Sequence, residues 1–250
     1  MPISPNTVLG LLLDMNLILL DTRDFIDPER ARLKGRRFKH LVTVNKVMEN
    51  DQVVCGLLNG KIGTGRVKKI SHDFIDMEIC LDHDPSDPLA LTLVLALPRP
   101  KMLKRIIESV TSLGVKNIYL INSWRVEKSF WQSPLLNHDE LEKHMILGLE
   151  QAKDTVLPRI YQKRFFTRFV KEELPLIAKD SLCITAHPKA SSICPAGVNK
   201  EITLVIGPEG GFIDIEIDTL EQAGFTSYHI GPRILRVETA VTYMISRLYR

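Results

Sequence analysis

The stretch Glu201–Thr242, EITLVIGPEGGFIDIEIDTLEQAGFTSYHIGPRILRVETAVT, decides how the rest of the chain is read. Its apolar run Ile202–Ile206 stops at Gly207-Pro208-Glu209-Gly210-Gly211, and a helix-like segment follows. A second short apolar run ends at Gly231-Pro232-Arg233, after which Leu235-Arg236 and Glu238-Thr239-Ala240 open a final helix. Glycine lets a backbone approach a ligand closely, and proline fixes φ. Strand, Gly-Pro loop and helix, repeated in close succession, suit parallel strands whose C-terminal loops bind a small molecule. Either loop alone reads as an ordinary strand-to-helix turn. Both together, with Arg and Glu beside the second, predict a binding site.

Upstream, the alternation continues. Leu91–Leu97 is a nearly continuous apolar run, as expected of a strand buried on both faces. Leu103, Ile106, Ile107, Val110 and Leu113 recur at helical spacing, and Gly114 closes that helix. Asn117–Ile121 reads as a strand, and Asp139–Ala152 as an amphipathic helix through Leu141, Met145, Leu149 and Ala152. Thr167–Ala178 is helical with a break at Pro175, and strand Leu182–Ala186 ends in His187-Pro188-Lys189. Repeated β-then-α predicts an α/β domain with a mostly parallel sheet covered on both sides. Before Leu89 the pattern changes to short strands: Asn16–Leu20, Gln52–Leu58, Thr64–Ile70 and Phe74–Ile79. With a tight-turn signal at Asn59-Gly60-Lys61, these predict a small β-barrel. Leu81–Leu89 is polar and Pro-containing, and reads as the linker. The expected domains are therefore 15–82 and 89–250.

Composition agrees with ordinary globular domains: 250 residues, 44% hydrophobic, 25% charged, and a formal net charge of +3. The four cysteines, Cys55, Cys80, Cys183 and Cys194, have no metal-finger spacing and read as buried thiols in a reducing compartment. No metal is expected. Leu9–Leu20 is broken by Asp14 and Asn16 and is too short to span a bilayer. It also lacks a basic leader, so a cytoplasmic chain with no membrane partner is expected. The residues before Met15 read as a loose extension, or as a start assigned too early.

Arg32, Lys34, Arg36, Arg37 and Lys39 concentrate positive charge inside the small β domain, with Phe38 interleaved. Such a run is most simply a solvated face. Its place beside an α/β domain, and the suitability of the Arg fork for phosphate, favour contact with RNA. The common nucleotide and hydrolase fingerprints are missing: neither G-x-G-x-x-G, nor G-x-x-x-x-G-K-[ST], nor G-x-S-x-G occurs. What remains is three strands ending in Pro-containing loops, at His187-Pro188, Gly207-Pro208 and Gly231-Pro232.

The combination HPKAS (His187–Ser191), IGPEGGF (Ile206–Phe212) and IGPRILRVETA (Ile230–Ala240) resembles the RsmE family. These are small-subunit (16S) ribosomal RNA uridine-N3 methyltransferases of the SPOUT superfamily. The resemblance implies an N-terminal PUA-like β-barrel that holds RNA, and a C-terminal α/β domain with a trefoil knot. It also implies a homodimer acting on ribosomal RNA or the small ribosomal subunit, with S-adenosyl-L-methionine as cofactor. Carried over by position, the implied cofactor site takes Ala186, His187 and Pro188 from the first loop. The second loop contributes Ile206, Gly207, Glu209, Gly210 and Gly211. The third contributes Ile230, Gly231, Leu235, Arg236, Val237, Thr239 and Ala240.

Methylating N3 of uridine requires loss of a weakly acidic proton and stabilisation of charge on the flanking carbonyl oxygens. Arg236 is the candidate electrostatic partner, and Glu238 or Asp154 the candidate proton acceptor. Glu238 also suits the start of a helix on dipole grounds alone. Arg99 and Lys101, at the end of the first α/β strand, join the candidate RNA contacts. The chain departs from the family pattern at Asp154, where an Arg is usual, and at Ser109 and Ser112, where a Lys and a Glu are usual. Two alternatives stay open: a ribose 2′-O methyltransferase on the same scaffold, and a non-catalytic RNA-binding or assembly protein that keeps the pocket.

Overall fold

The computed structural model describes residues 16–249, so the readings placed on residues 1–15 lie outside the described residues. The chain divides into two units. The first comprises the residues up to Asp87 together with Ile146–Leu157, and the second comprises Pro88–Met145 and Pro158 onwards.

In the first unit, strands β1 (Ile18–Leu20), β2 (Phe25–Asp27) and β3 (Arg30–Lys34) precede helix α1 (Gly35–Thr43). Strands β4 (Gln52–Leu57), β5 (Ile62–Ile70) and β6 (Phe74–His83) complete a six-stranded sheet of order β1-β4-β5-β6-β3-β2. Only β1–β4 is a parallel pair; the other neighbours run antiparallel. The sheet curls around Ile18, Leu20, Ala31, Leu33, Val53, Cys55, Val67, Ile75 and Met77, with Leu41 of α1 packed among them. The expected barrel strands are present, and the basic run has a structure that its charge concealed. Within Arg30–Lys34, Ala31 and Leu33 point inward while Arg30, Arg32 and Lys34 point out, which is the period-2 signature of a half-buried strand. The remainder of the run is helix α1. Strand β6 continues to His83, into the stretch read as linker.

The segment Ile146–Leu157, assigned by sequence to the 89–250 domain, makes its contacts in the first unit. Leu149 packs with Leu17 and Leu19. The Leu17 amide donates to Glu150 O at 2.9 Å, and the Asn59 amide to Thr155 O at 2.8 Å. These partners are far apart in sequence, so no local pattern announces them.

The second unit is a seven-stranded, wholly parallel sheet of order β11-β13-β10-β12-β7-β8-β9. Its strands are β7 (Leu91–Ala96), β8 (Asn117–Ile121), β9 (Arg159–Lys163), β10 (Leu182–Ala186), β11 (Ser192–Ile193), β12 (Ile202–Ile206) and β13 (Thr226–His229). Helix α2 (Pro100–Ser112) starts with proline in its first turn, where a missing N–H costs nothing, and buries Leu103, Ile106, Ile107 and Val110. Helix α3 covers His138–Ala152. The expected break near Pro175 is a π turn, Phe169–Glu173, between α4 (Phe166–Arg168) and α5 (Leu174–Ile177). Strand β9 was not anticipated: its polar sequence, RIYQK, lacks the apolar run of its neighbours because it forms the sheet edge. Helices α6 (Asp214–Gln222) and α7 (Val237–Leu248) close the chain. The loop after β11 clasps the end of α7, with Val198 N donating to Leu248 O at 2.6 Å and Arg247 Nε to Cys194 O at 2.6 Å. Among the described residues, no helix is long and apolar enough to cross a membrane.

One glycine of the first unit sets how closely β5 and β6 approach. A Cβ at Gly63 would lie 1.9 Å from the carbonyl oxygen of Cys80. Backbone cannot yield as a flexible side chain does, so Gly63→Ala is expected to lower the unfolding free energy by about 1–3 kcal/mol or more. Denaturant unfolding of the variant beside the parent measures this.

Candidate functional site

Strands β13, β10 and β12 are neighbours, and because the sheet is parallel their C-terminal ends lie on one edge. The three Pro-containing loops that follow them converge around a cavity of about 310 Å³, within the roughly 300–1,000 Å³ usual for small-ligand sites. Of the residues expected there, Ala186, His187, Pro188, Ile206, Gly207, Glu209, Gly210, Gly211, Ile230, Gly231, Leu235, Val237 and Ala240 all line it.

Arg236 and Thr239 do not line this cavity. Helix α7 begins at Val237, and its rotation presents Val237, Ala240 and Met244 to the cavity, at i, i+3 and i+7. Glu238 and Thr239 fall on another face of the helix, in a separate hollow with Arg105, Ser109, Thr242 and Tyr243. Arg236 is exposed at the N-cap position, and its guanidinium makes no hydrogen bond or ion pair among the described residues. Asp154 lies elsewhere, in the first unit, where it is buried and its Oδ1 accepts from Val156 N at 2.9 Å.

The sequence reading missed Arg125, Tyr228 and Met244, which also line the cavity. Arg125 follows β8, far from the loop motifs, and its Nη1 donates to the carbonyl oxygen of Gly210. A Cβ at Gly210 would meet Arg125 Cδ at 2.9 Å, so this glycine admits the arginine. The Glu209 carboxylate accepts from Arg99 N at 3.0 Å. Glu216, only 5% exposed, accepts from Trp124 N at 2.8 Å through Oε1 and from Ile213 N at 3.0 Å through Oε2. Its signal in the sequence is an acidic residue in the first turn of a helix, too common to single out.

The basic residues of the first unit divide into two groups. Arg32 makes a bidentate pair with Asp76 at 2.7 and 2.9 Å and lies 4.0 Å over the Phe74 ring. Arg36 pairs with Glu150 at 2.9 and 2.7 Å, and Arg37 with Asp24 while also donating to Leu19 O at 2.8 Å. These forks are engaged within the protein by carboxylates remote in sequence. Lys34 and Lys39 are exposed and make no ion pair among the described residues. In the second unit, Arg99 and Lys101 are likewise exposed. No group of three or more His, Cys, Asp or Glu side chains able to hold a metal occurs among the described residues.

Burial holds the His187 imidazole below its ordinary pKa; nearby Lys189 acts in the same direction, while Asp214 and Glu221 offset part of the shift. Between the depressed folded value and the unfolded value, the folded state binds fewer protons than the unfolded one. Stability should therefore fall as pH drops through the ordinary histidine value, about 6.5, and level off below the depressed value. His187→Gln should remove this component, and melting temperatures of both proteins between neutral and mildly acidic pH measure it.

An RNA methyltransferase domain family matches residues 85–249, and an RNA methyltransferase PUA domain family matches residues 33–80. The chain is 28% identical over 230 residues to the ribosomal RNA small subunit methyltransferase E 1 of Borreliella burgdorferi, covering 90% of this chain and 94% of the relative. It is 26% identical to the corresponding E protein of Treponema pallidum, with 90% and 87% covered. Among solved structures, the Neisseria gonorrhoeae ribosomal RNA small subunit methyltransferase E bound to S-adenosyl methionine superposes with a TM-score of 0.71 at 20% identity, with 92% and 95% covered. A Legionella pneumophila structure solved with bound S-adenosylmethionine gives 0.74 at 23% identity, with 93% and 96% covered.

Proposed function

The chain belongs to the RNA methyltransferase family, and on that premise we propose that it methylates N3 of a uridine in small-subunit ribosomal RNA, using S-adenosylmethionine. The observation that carries this reading is the cavity at the edge of β13, β10 and β12, formed by the three motif-bearing loops. Its residues fit the cofactor. A side chain at Gly210 would collide with Arg125 and one at Gly207 would press on Phe212, so glycine at both positions keeps the cavity wall open to a close backbone approach. Leu235, Val237 and Met244 supply apolar surface.

Bound there, the cofactor supplies an electrophilic methyl group on a sulfonium. The chain's own residues must present an unpaired uridine, take the N3 proton and stabilise charge spreading onto the carbonyl oxygens at C2 and C4. N3 lies on the pairing edge, so the base is presented unpaired or extruded. We assign the electrostatic role to Arg236, whose exposed guanidinium is open to a carbonyl oxygen or a phosphate. Glu238, which faces the separate hollow with Arg105 and Ser109, is the proposed proton acceptor, reached through water. Asp154 is assigned a structural role in the first unit, consistent with its burial and its bond to Val156. Lys34, Lys39, Arg99 and Lys101 remain proposed RNA contacts, and a homodimer belongs to the same reading.

Nucleoside mass spectrometry of small-subunit ribosomal RNA, after incubation with the protein and S-adenosylmethionine, should show 3-methyluridine. A 2′-O-methylated nucleoside instead would replace the reading, and failure to bind the cofactor in calorimetry would leave an RNA-binding protein. Replacing both Gly210 and Gly211 by Val should abolish cofactor binding, through collision at Gly210 and strain at Gly211, whose φ is +72°. Arg236→Ala should keep cofactor binding, because Arg236 lies outside the cavity lining, while kcat falls by about 10²–10³-fold.

A further inference from the structure

The loops leaving the C-terminal ends of β8 and β9 carry two strongly exposed aromatic side chains, Trp124 at 80% and Phe165 at 74% exposure. The two strands are paired as far as Ile121 and Lys163, and Asn122 N donates to Lys163 O at 3.0 Å, so both loops start from the same sheet edge. This is the edge on which the cofactor cavity opens. The Phe166 ring lies 5.9 Å from that of Phe212, which lines the cavity. An indole in water forfeits its favourable burial against another aromatic face.

Trp124 is exposed but not loose. Its amide is held by the buried carboxylate of Glu216, whose other oxygen holds Ile213 at the start of α6. The next residue, Arg125, lines the cavity and bonds to Gly210 O. The indole therefore stands on a fixed backbone one residue from the cavity wall. Exposed arginines accompany it: Arg99 after β7, Arg125 after β8 and Arg164 after β9. Arg164 lies 5.3 Å over the Trp131 ring. Fixed aromatic faces interleaved with arginines are the means by which proteins hold single-stranded nucleic acid: cations follow the backbone while rings stack on bases.

We propose that Trp124 is a positioning residue for the RNA substrate, its indole stacking on an unpaired base of the strand held at the mouth of the cofactor cavity. This rests on the RNA methyltransferase reading above. It assigns Trp124 no chemical step.

The chain has two tryptophans, so Trp131→Phe leaves Trp124 as the sole indole fluorophore. Titrating that variant with a single-stranded uridine-containing oligoribonucleotide should quench its emission along the binding isotherm. In the otherwise unaltered protein, Trp124→Ala should raise KM for RNA about tenfold or more, the scale of one lost base–aromatic stack. Cofactor affinity in calorimetry should stay unchanged, and Trp124→Phe should recover most of the loss. Bound RNA with unquenched emission, or an unchanged KM in Trp124→Ala, overturns the inference while the proposed function stands. A Trp124→Ala effect confined to self-association, read by analytical ultracentrifugation, overturns it in favour of a second copy on this surface. A parent protein with neither RNA affinity nor methyl transfer removes the premise and the inference together.

Discussion

Strand β12 is the constraint on which the second unit depends. All five residues, Ile202–Ile206, are buried, with β10 on one side and β7 on the other. Such a fully buried run, apolar except for Thr203, whose hydroxyl bonds to Ser181 Oγ at 2.7 Å, is the mark of a strand covered on both faces. Its position is also topologically decisive. The chain runs outward from β7 through β8 and β9, then returns so that β12 fills the place on β7's other side. The loops after β10, β12 and β13 can meet only because of that insertion. Ligand sites in open parallel sheets form at the carboxyl ends of strands where the strand order reverses.

The cavity is walled mainly by glycine, proline and apolar residues, with fewer charged side chains. Gly210 is small because Arg125 crosses it. The prolines of the three loops restrict φ, so less conformational entropy remains to be lost when a ligand is held. Helix α7 then contributes an apolar face, Val237, Ala240 and Met244, and turns its polar residues elsewhere. One short helix thus serves two surfaces, and its phase decides which residue belongs to which.

That phase is also where sequence reading stopped. The parallel α/β pattern, the curled β unit and most of the cavity lining were legible, because buried strands, helical spacing and Gly-Pro loops are local signals. Arg236 and Thr239 were assigned to the cavity because the motif is contiguous, but a helix turns about 100° per residue and separates neighbours. The arginines of the basic run looked free because Asp24, Asp76 and Glu150 are remote or unremarkable in sequence. Strand β3 was hidden inside that run, and β9 by its place at an edge. Arg125 gave no signal and Glu216 only a common one, since their importance comes from long-range contacts.

Glu216 links these observations. A carboxylate at 5% exposure costs free energy unless its oxygens are satisfied, and here each accepts a backbone N–H. Hydrogen bonds to a charged group contribute about 1.5–3 kcal/mol each, against which that burial is set. One of them fixes the start of α6, just after the loop that forms the cavity wall. The other fixes the loop bearing Trp124 and Arg125, and Arg125 returns to Gly210 in that same wall. The ring of contacts runs Gly210, Arg125, Trp124, Glu216, Ile213 and back along the chain to Gly210. Movement of the β12 loop is therefore not independent of the position of Trp124. The same buried carboxylate holds the wall of the cavity and the exposed indole beside it in one register.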